Sequence, residues 1–280
     1  MTLRLAGPLL LVGAGKMGGA LLEGWLSQGL DPAQVIVSDP APPADIAGLL
    51  ERHGIAKGIA NDIAMARDPA VIVIAVKPQL IDEILPSVAP LAGKETLILS
   101  IAAGRPLASL TRHFGSGAAI VRAMPNTPAS IGMGITVACA NEAVTQGQAR
   151  ECTQLLEAVG TVVWVEDESL MDAATAVSGS GPAYVFLLAE CLAEAGEAEG
   201  LPRDIASELA RATIAGAGEL LRRSDLTAAE LRERVTSPKG TTAAALEILM
   251  GKGGFPELLR RAVAAAAERS RKLSSKAAKS

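Results

Sequence analysis

Apolar residues in the first part of the chain fall in short unbroken runs at 9–12, 35–37, 71–76, 97–101, 119–121 and 162–165. A strand with one wet face alternates apolar and polar positions, so runs without alternation predict strands buried on both faces of a parallel sheet. The segments 17–28, 79–90, 106–113 and 145–159 are long and periodic enough to be crossover helices. Together they predict a doubly wound, mainly parallel α/β domain over residues 1–165. From residue 166 the β-branched runs stop and Ala, Leu and Glu dominate, which predicts an all-α second domain over 166–280. Its helix boundaries are marked. Ser180 and Pro182 open a helix of about 17 residues; Gly200 ends it and Pro202 helps start the next. Thr227 and Glu230 form a capping box, and Gly251, Gly253 and Gly254 separate the last two helices. The helix at 182–199 begins apolar nearly all round (Ala183, Tyr184, Val185, Phe186, Leu187, Leu188), so something must cover it. A second copy is the readiest cover, and a homo-oligomer built through this half is expected. The basic tail at 269–280 is expected to fray.

Composition narrows the picture. Two Trp, one Tyr and three Phe leave the burial to aliphatic side chains and tight packing. A net charge of −4, with no basic stripe interleaved with aromatics, argues against a nucleic-acid partner. Cys139, Cys152 and Cys191 are odd in number and far apart, which fits neither a disulfide framework nor metal-ligand spacing. A cytoplasmic protein without a metal is expected. The apolar opening before residue 13 reads as a strand rather than a signal peptide because it runs directly into a glycine pattern. No later stretch reads as a membrane span.

That pattern is Gly13, Ala14, Gly15, Lys16, Met17, Gly18. Alone it is weak, but a strand precedes it, a helix follows it, and Asp39 lies at the end of the second strand, 21 positions beyond Gly18. This is the dinucleotide-binding pattern of a Rossmann domain. Gly13 permits the turn, Gly15 the approach of a pyrophosphate, Gly18 close helix–strand packing, and the helix start offers N–H groups to phosphate. Three more strings leave the carboxyl ends of strands, where such sheets place function: Ala75-Val-Lys-Pro-Gln, Ser100-Ile-Ala-Ala-Gly and Arg122-Ala-Met-Pro-Asn-Thr-Pro. Two others, at 178–184 and 236–242, open helices in the second half and could hold a carboxylate on backbone N–H groups. The only histidines are His53 and His113, so a hydrolytic triad around Ser180 is excluded. Lack of a histidine acid also favours a readily protonated C=N substrate over a ketone.

These six strings, in order and spacing, closely resemble the pyrroline-5-carboxylate reductase family: GAGKMG, AVKPQ, SIAAG, RAMPNTP, DAATAVSGSGPAYVF and SPKGTT. The resemblance covers nearly the whole chain. It implies reduction of 1-pyrroline-5-carboxylate to L-proline by NADPH or NADH, the last step of proline biosynthesis. It also implies a helical dimerisation domain, sometimes in rings of dimers. By position it assigns Gly13, Ala14, Gly15, Lys16, Met17 and Gly18 to the pyrophosphate and Asn61 to the cofactor. Ala75, Val76, Lys77, Pro78, Ile101, Ala102, Ala103 and Asn126 fall to the nicotinamide side. Ser237, Gly240, Thr241 and Thr242 would hold substrate, with Thr242 near the reacting nitrogen. Ser38 and Asp39 would meet the ribose, and the acid predicts that NADH serves at least as well as NADPH. Lys239 stands where the family usually has glycine, a strained choice if the position needs φ > 0. A β-hydroxyacid dehydrogenase and a non-catalytic dinucleotide sensor are the alternative readings.

Overall fold

The computed structural model describes residues 3–58 and 68–279. The chain forms two compact units, one of 1–179 with 267–280 and one of 180–266. The sequence places the division at 165/166. The first unit instead keeps the short helix after the last strand, and the end of the chain returns to it.

The first unit is built on one sheet in the order β3-β2-β1-β4-β5-β6-β7-β8. Its strands are β1 (Leu9–Val12), β2 (Val35–Ser38), β3 (Ala56–Gly58), β4 (Val71–Ile74), β5 (Leu97–Ser100), β6 (Ala119–Met124), β7 (Gly134–Ala140) and β8 (Gly160–Trp164). Every neighbouring pair is parallel except β6 with β7. The unbroken apolar runs follow from burial on both faces. Leu9 and Leu11 of β1 pack with Leu21, Leu22 and Trp25 of α1 (Lys16–Ser27) on one face. Leu10 and Val12 pack with Ile81, Leu85 and Val88 of α3 (Ile81–Val88) on the other. The buried Trp25 indole donates to the carbonyl of Leu155 at 2.8 Å, tying α1 to α5 (Gln146–Glu157) without leaving its N–H unpaired. α2 (Ala44–His53) joins the α1 face through Ile46, Leu49 and Leu50, and α4 (Leu107–Phe114) joins the α3 face through Leu110.

Several boundaries differ from the expectation. β4 stops at Ile74 rather than at 76; one more sheet-like bond, from Ala75 N–H to Val12 carbonyl, closes it before Pro78 turns the chain away. β7, the antiparallel strand, is absent from the expected set because Gly134, Thr136, Ala138 and Ala140 alternate small residues through it. β3 is only three residues long. The tail is not frayed through 269–279: α11 runs Phe255–Lys279. Asp172, in α6 (Met171–Ala174), accepts from Ser270 at 2.6 Å and Ser274 at 3.1 Å, which seats the helix end on the first unit.

In the second unit α7 (Gly181–Ala198) and α8 (Arg203–Arg223) form a hairpin, followed by α9 (Ala228–Arg234), α10 (Thr241–Leu249) and the start of α11. The expected Thr227–Glu230 capping box is present. Gly196 lets the hairpin close, since a Cβ there would lie 3.4 Å from that of Ala206. Only Ala206 and Ala210 are buried in 180–266, whereas Phe186 is 66% and Leu187 57% exposed. By length and composition alone the stretch Glu168–Ala198 is also apolar enough to cross a membrane, contrary to the sequence expectation that no stretch would be.

Candidate functional site

The glycine loop between β1 and α1 demands glycine for steric reasons. Gly13 has φ +91°, and a Cβ on it would stand 2.8 Å from Val76 Cγ1. A Cβ on Gly18 would overlap the Gly13 carbonyl oxygen, so the helix could not start so close to the strand. At Gly15, the N-cap of α1, a Cβ would meet nothing within 4 Å: here the open space lies outside the loop, where a ligand can approach. The loop is held from behind. Gly13 N–H donates to Ser38 carbonyl at 2.9 Å, and Ala14 N–H donates to Asp39 Oδ2 at 2.7 Å. The other Asp39 oxygen accepts from Ala41 N–H at 2.9 Å.

A cavity of about 680 Å³ opens above this loop at the carboxyl ends of β1, β2 and β4. It brings together Gly13, Gly15, Ser38, Asp39, Ala75, Val76 and Lys77 of the expected residues, and adds Leu80, Glu83 and Ile84. Lys16 is exposed at the helix start and Met17 is partly buried against the core. The first-turn N–H groups of α1 are available in principle to an anion, and no side chain caps them.

Other expected residues are placed differently. Ile101 and Ala102 are buried and Ala103 is exposed; none of the three lines the cavity. Asn126 has its amide engaged by backbone: Oδ1 accepts from Ile135 N–H at 2.9 Å and Nδ2 donates to Ser178 carbonyl at 3.1 Å. It thus ties the end of β6 to a π-helical turn, Thr175–Gly179, and acts there as a backbone brace. Asn61 lies outside the described residues. Two buried arginines, Arg105 and Arg122, have structural partners that the sequence motifs do not indicate. Arg122 donates to Glu168 Oε1 at 2.8 Å, and the same oxygen accepts the Leu107 N–H at the start of α4. Arg105 reaches from the segment after β5 to the Pro78 carbonyl and to Asp82 in α3. Its hydrogen bonds hold the Asp82 carboxyl below the ordinary carboxylate range.

In the second unit Gly240 caps α10, and its N–H donates to Ser237 carbonyl at 3.0 Å. A Cβ at Gly240 would stand 2.6 Å from Ser237 Oγ, which would have to rotate away, and 3.1 Å from the Ser237 carbonyl oxygen. Lys239 has φ +60°, one of two non-glycine residues in that region among those described. No side chain caps α10, so Thr241 and Thr242 present first-turn N–H groups, and Thr242 is half-buried.

Residues 168–273 match the family described as pyrroline-5-carboxylate reductase dimerisation, and residues 9–104 match NADP oxidoreductase, coenzyme F420-dependent. The chain is 43% identical over 267 residues to a pyrroline-5-carboxylate reductase of Pseudomonas aeruginosa, covering 94% of this chain and 95% of the relative. It is 40% identical to that of Pisum sativum, covering 94% of each. Among solved structures, the Coxiella burnetii pyrroline-5-carboxylate reductase superposes with a TM-score of 0.86 at 33% identity, covering 96% of this chain and 98% of that one. The Plasmodium falciparum pyrroline carboxylate reductase with NADP bound gives 0.81 at 30% identity, covering 98% of this chain and 100% of that one.

Proposed function

The chain belongs to the pyrroline-5-carboxylate reductase family, and from that premise we propose how its residues divide the work of reducing 1-pyrroline-5-carboxylate to L-proline with NADPH or NADH. The reaction adds a hydride to the imine carbon of the C=N bond, the ring carbon that becomes C5 of proline, and a proton to the ring nitrogen. Bound NAD(P)H supplies the hydride. The glycine loop and the α1 N-terminus hold the pyrophosphate, Ser38 and Asp39 meet the ribose, and Ala75, Val76, Lys77 and Pro78 form the wall beside the nicotinamide. Ile101, Ala102 and Ala103 lie on the next loop, outside the cavity lining, and Asn126 braces the end of β6, so their part is to support the nicotinamide side from behind.

The observation that carries this reading is a second helix start without a side-chain cap, at α10, in a chain that also has the glycine loop at α1. Gly240, Thr241 and Thr242 would receive the substrate carboxylate on N–H groups, with Ser237 beside them, and the Thr242 hydroxyl would donate to the reacting nitrogen. We assign the exposed apolar surface of α7 and α8 to a second copy of the chain rather than to lipid. The dimerisation match covers this surface, and Glu190, Glu194 and Glu197 punctuate α7. We therefore propose a homo-oligomer, and for it the cytoplasmic location expected of a biosynthetic enzyme. The test follows the reduced nicotinamide in three parallel reactions: its loss from NAD(P)H with pyrroline-5-carboxylate, its formation from NAD(P)+ with a β-hydroxyacid, and its level with neither. Turnover only with the first supports the proposal; turnover only with the hydroxyacid overturns it.

A further inference from the structure

Arg105 is buried at the carboxyl end of the sheet, in a chain segment that turns sharply at Gly104, φ +70°. All five of its N–H donors have acceptors. Nε and Nη2 donate to Pro78 carbonyl at 3.1 and 2.8 Å. Nη1 and Nη2 donate to the two oxygens of Asp82 at 2.8 and 2.5 Å, and Nη1 also reaches Ser109 Oγ at 3.4 Å. The acceptors are chain neighbours of the cavity wall: Pro78 follows Lys77 and Asp82 precedes Glu83, and both Lys77 and Glu83 line the cavity. A buried guanidinium is costly unless every donor is paired, and an apolar plug would hold two loops together as firmly. What the planar fork adds is a fixed angle between two acceptors.

We propose that Arg105 is a positioning residue for the reductase: it locks the wall of the dinucleotide cavity, residues 75–83, against the loop after β5. Cofactor and hydride acceptor then meet a preset surface. The Asp82 carboxyl stays ionised beside it over the working pH range, and His113 Nε2, 3.3 Å from Asp82 Oδ1, is a weaker partner on the exposed side. The proposal rests on the reading of the cavity as the dinucleotide site.

The experiment compares Arg105→Met, Arg105→Lys and Asp82→Asn with the wild-type protein. Two quantities are read: NADPH affinity without substrate, by fluorescence, and kcat with both KM values. Arg105→Met should weaken NADPH binding about tenfold and lower kcat about ten- to a hundredfold through misplacement of the wall, with KM for pyrroline-5-carboxylate changed by less than about twofold. Arg105→Lys, a point charge in place of a fork, should fall between, and Asp82→Asn should move the same two quantities less. If all the folded variants keep wild-type NADPH affinity and kcat and lose only thermal stability, Arg105 merely holds the fold and the proposal fails. If Arg105→Met does not fold, the other two variants are judged by the same criterion. A wild-type protein that binds NADPH but does not turn over pyrroline-5-carboxylate would sink the functional reading. The affinity measurements would then still decide the role of Arg105.

Discussion

Asp39 stands beside the site proposed for the adenosine ribose, and its oxygens already accept the N–H groups of Ala14 and Ala41. Each carboxylate oxygen retains a second lone pair, so the ribose hydroxyls of NADH can still be received. The 2′-phosphate of NADPH would instead face a fixed negative charge, at a cost of at most roughly 6 kcal/mol for about 5 Å and an effective dielectric of 20, before screening. NADH is therefore expected to serve at least as well as NADPH, and a kcat/KM ratio favouring NADPH by about tenfold or more would reverse the assignment. Thr242 is the residue proposed to serve the ring nitrogen. With no histidine in the helical half, its hydroxyl is the proposed donor to the nitrogen, and solvent or a protonated imine could replace it. Thr242→Ala should lose about 1–3 kcal/mol, or about ten- to a hundredfold in kcat/KM, with dinucleotide affinity unchanged. Wild-type rates from about pH 6 to 9 would show that the threonine serves only its helix. At this scale the residues legible in the sequence were those whose chemistry is local: glycines that a turn requires, and an acid at a fixed interval after them. Arg105 and Arg122 were not legible because their partners, Asp82 and Glu168, lie 23 and 46 positions away.

Among the elements, the strands with both faces buried declared themselves, because two packed helical layers leave no polar alternation. The antiparallel β7 did not, since its small residues suit a close approach to neighbouring backbone: a Cβ on Gly134 would stand 2.9 Å from the Val159 carbonyl oxygen. The end of α11 also misled, as a run of Lys, Arg and Ser reads as a solvated tail until Asp172 is seen to accept from Ser270 and Ser274. The loop before α10 makes a prediction. Lys239 at φ +60° carries a left-handed strain of about 1 kcal/mol, part of which a glycine would return through its freer unfolded state. Lys239→Gly should raise the melting temperature slightly and raise KM for the anionic substrate, the latter effect shrinking with added salt. A lower melting temperature would mean that the lysine side chain contributes more than the strain removes.

The molecule as a whole presents an imbalance between its units. The sheet unit buries its apolar side chains on both faces, whereas 180–266 buries only two alanines and leaves Val185, Phe186 and Leu187 of α7 44%, 66% and 57% exposed. A groove of about 590 Å³ between α7 and α8 is lined by Val185, Phe186, Ala189 and Ile214. Full burial of one such side chain contributes about 1.5–3 kcal/mol, so a handful at an interface is comparable with the stability margin of an ordinary domain. The apolar start of α7 made this legible in the sequence, because no core of that size could be found for it within a helical half so poor in aromatics. Light scattering should therefore give a dimer or a multiple of dimers at micromolar concentration, with a melting temperature that rises with protein concentration. Phe186→Glu places a charge in the groove and should shift the population towards monomer, lower the melting temperature, and reduce activity, while leaving the dinucleotide loop intact. A wild-type monomer that is stable and active at that concentration would remove the second copy from the account, and co-flotation of the wild-type protein with lipid vesicles would transfer the apolar surface of α7 to the membrane.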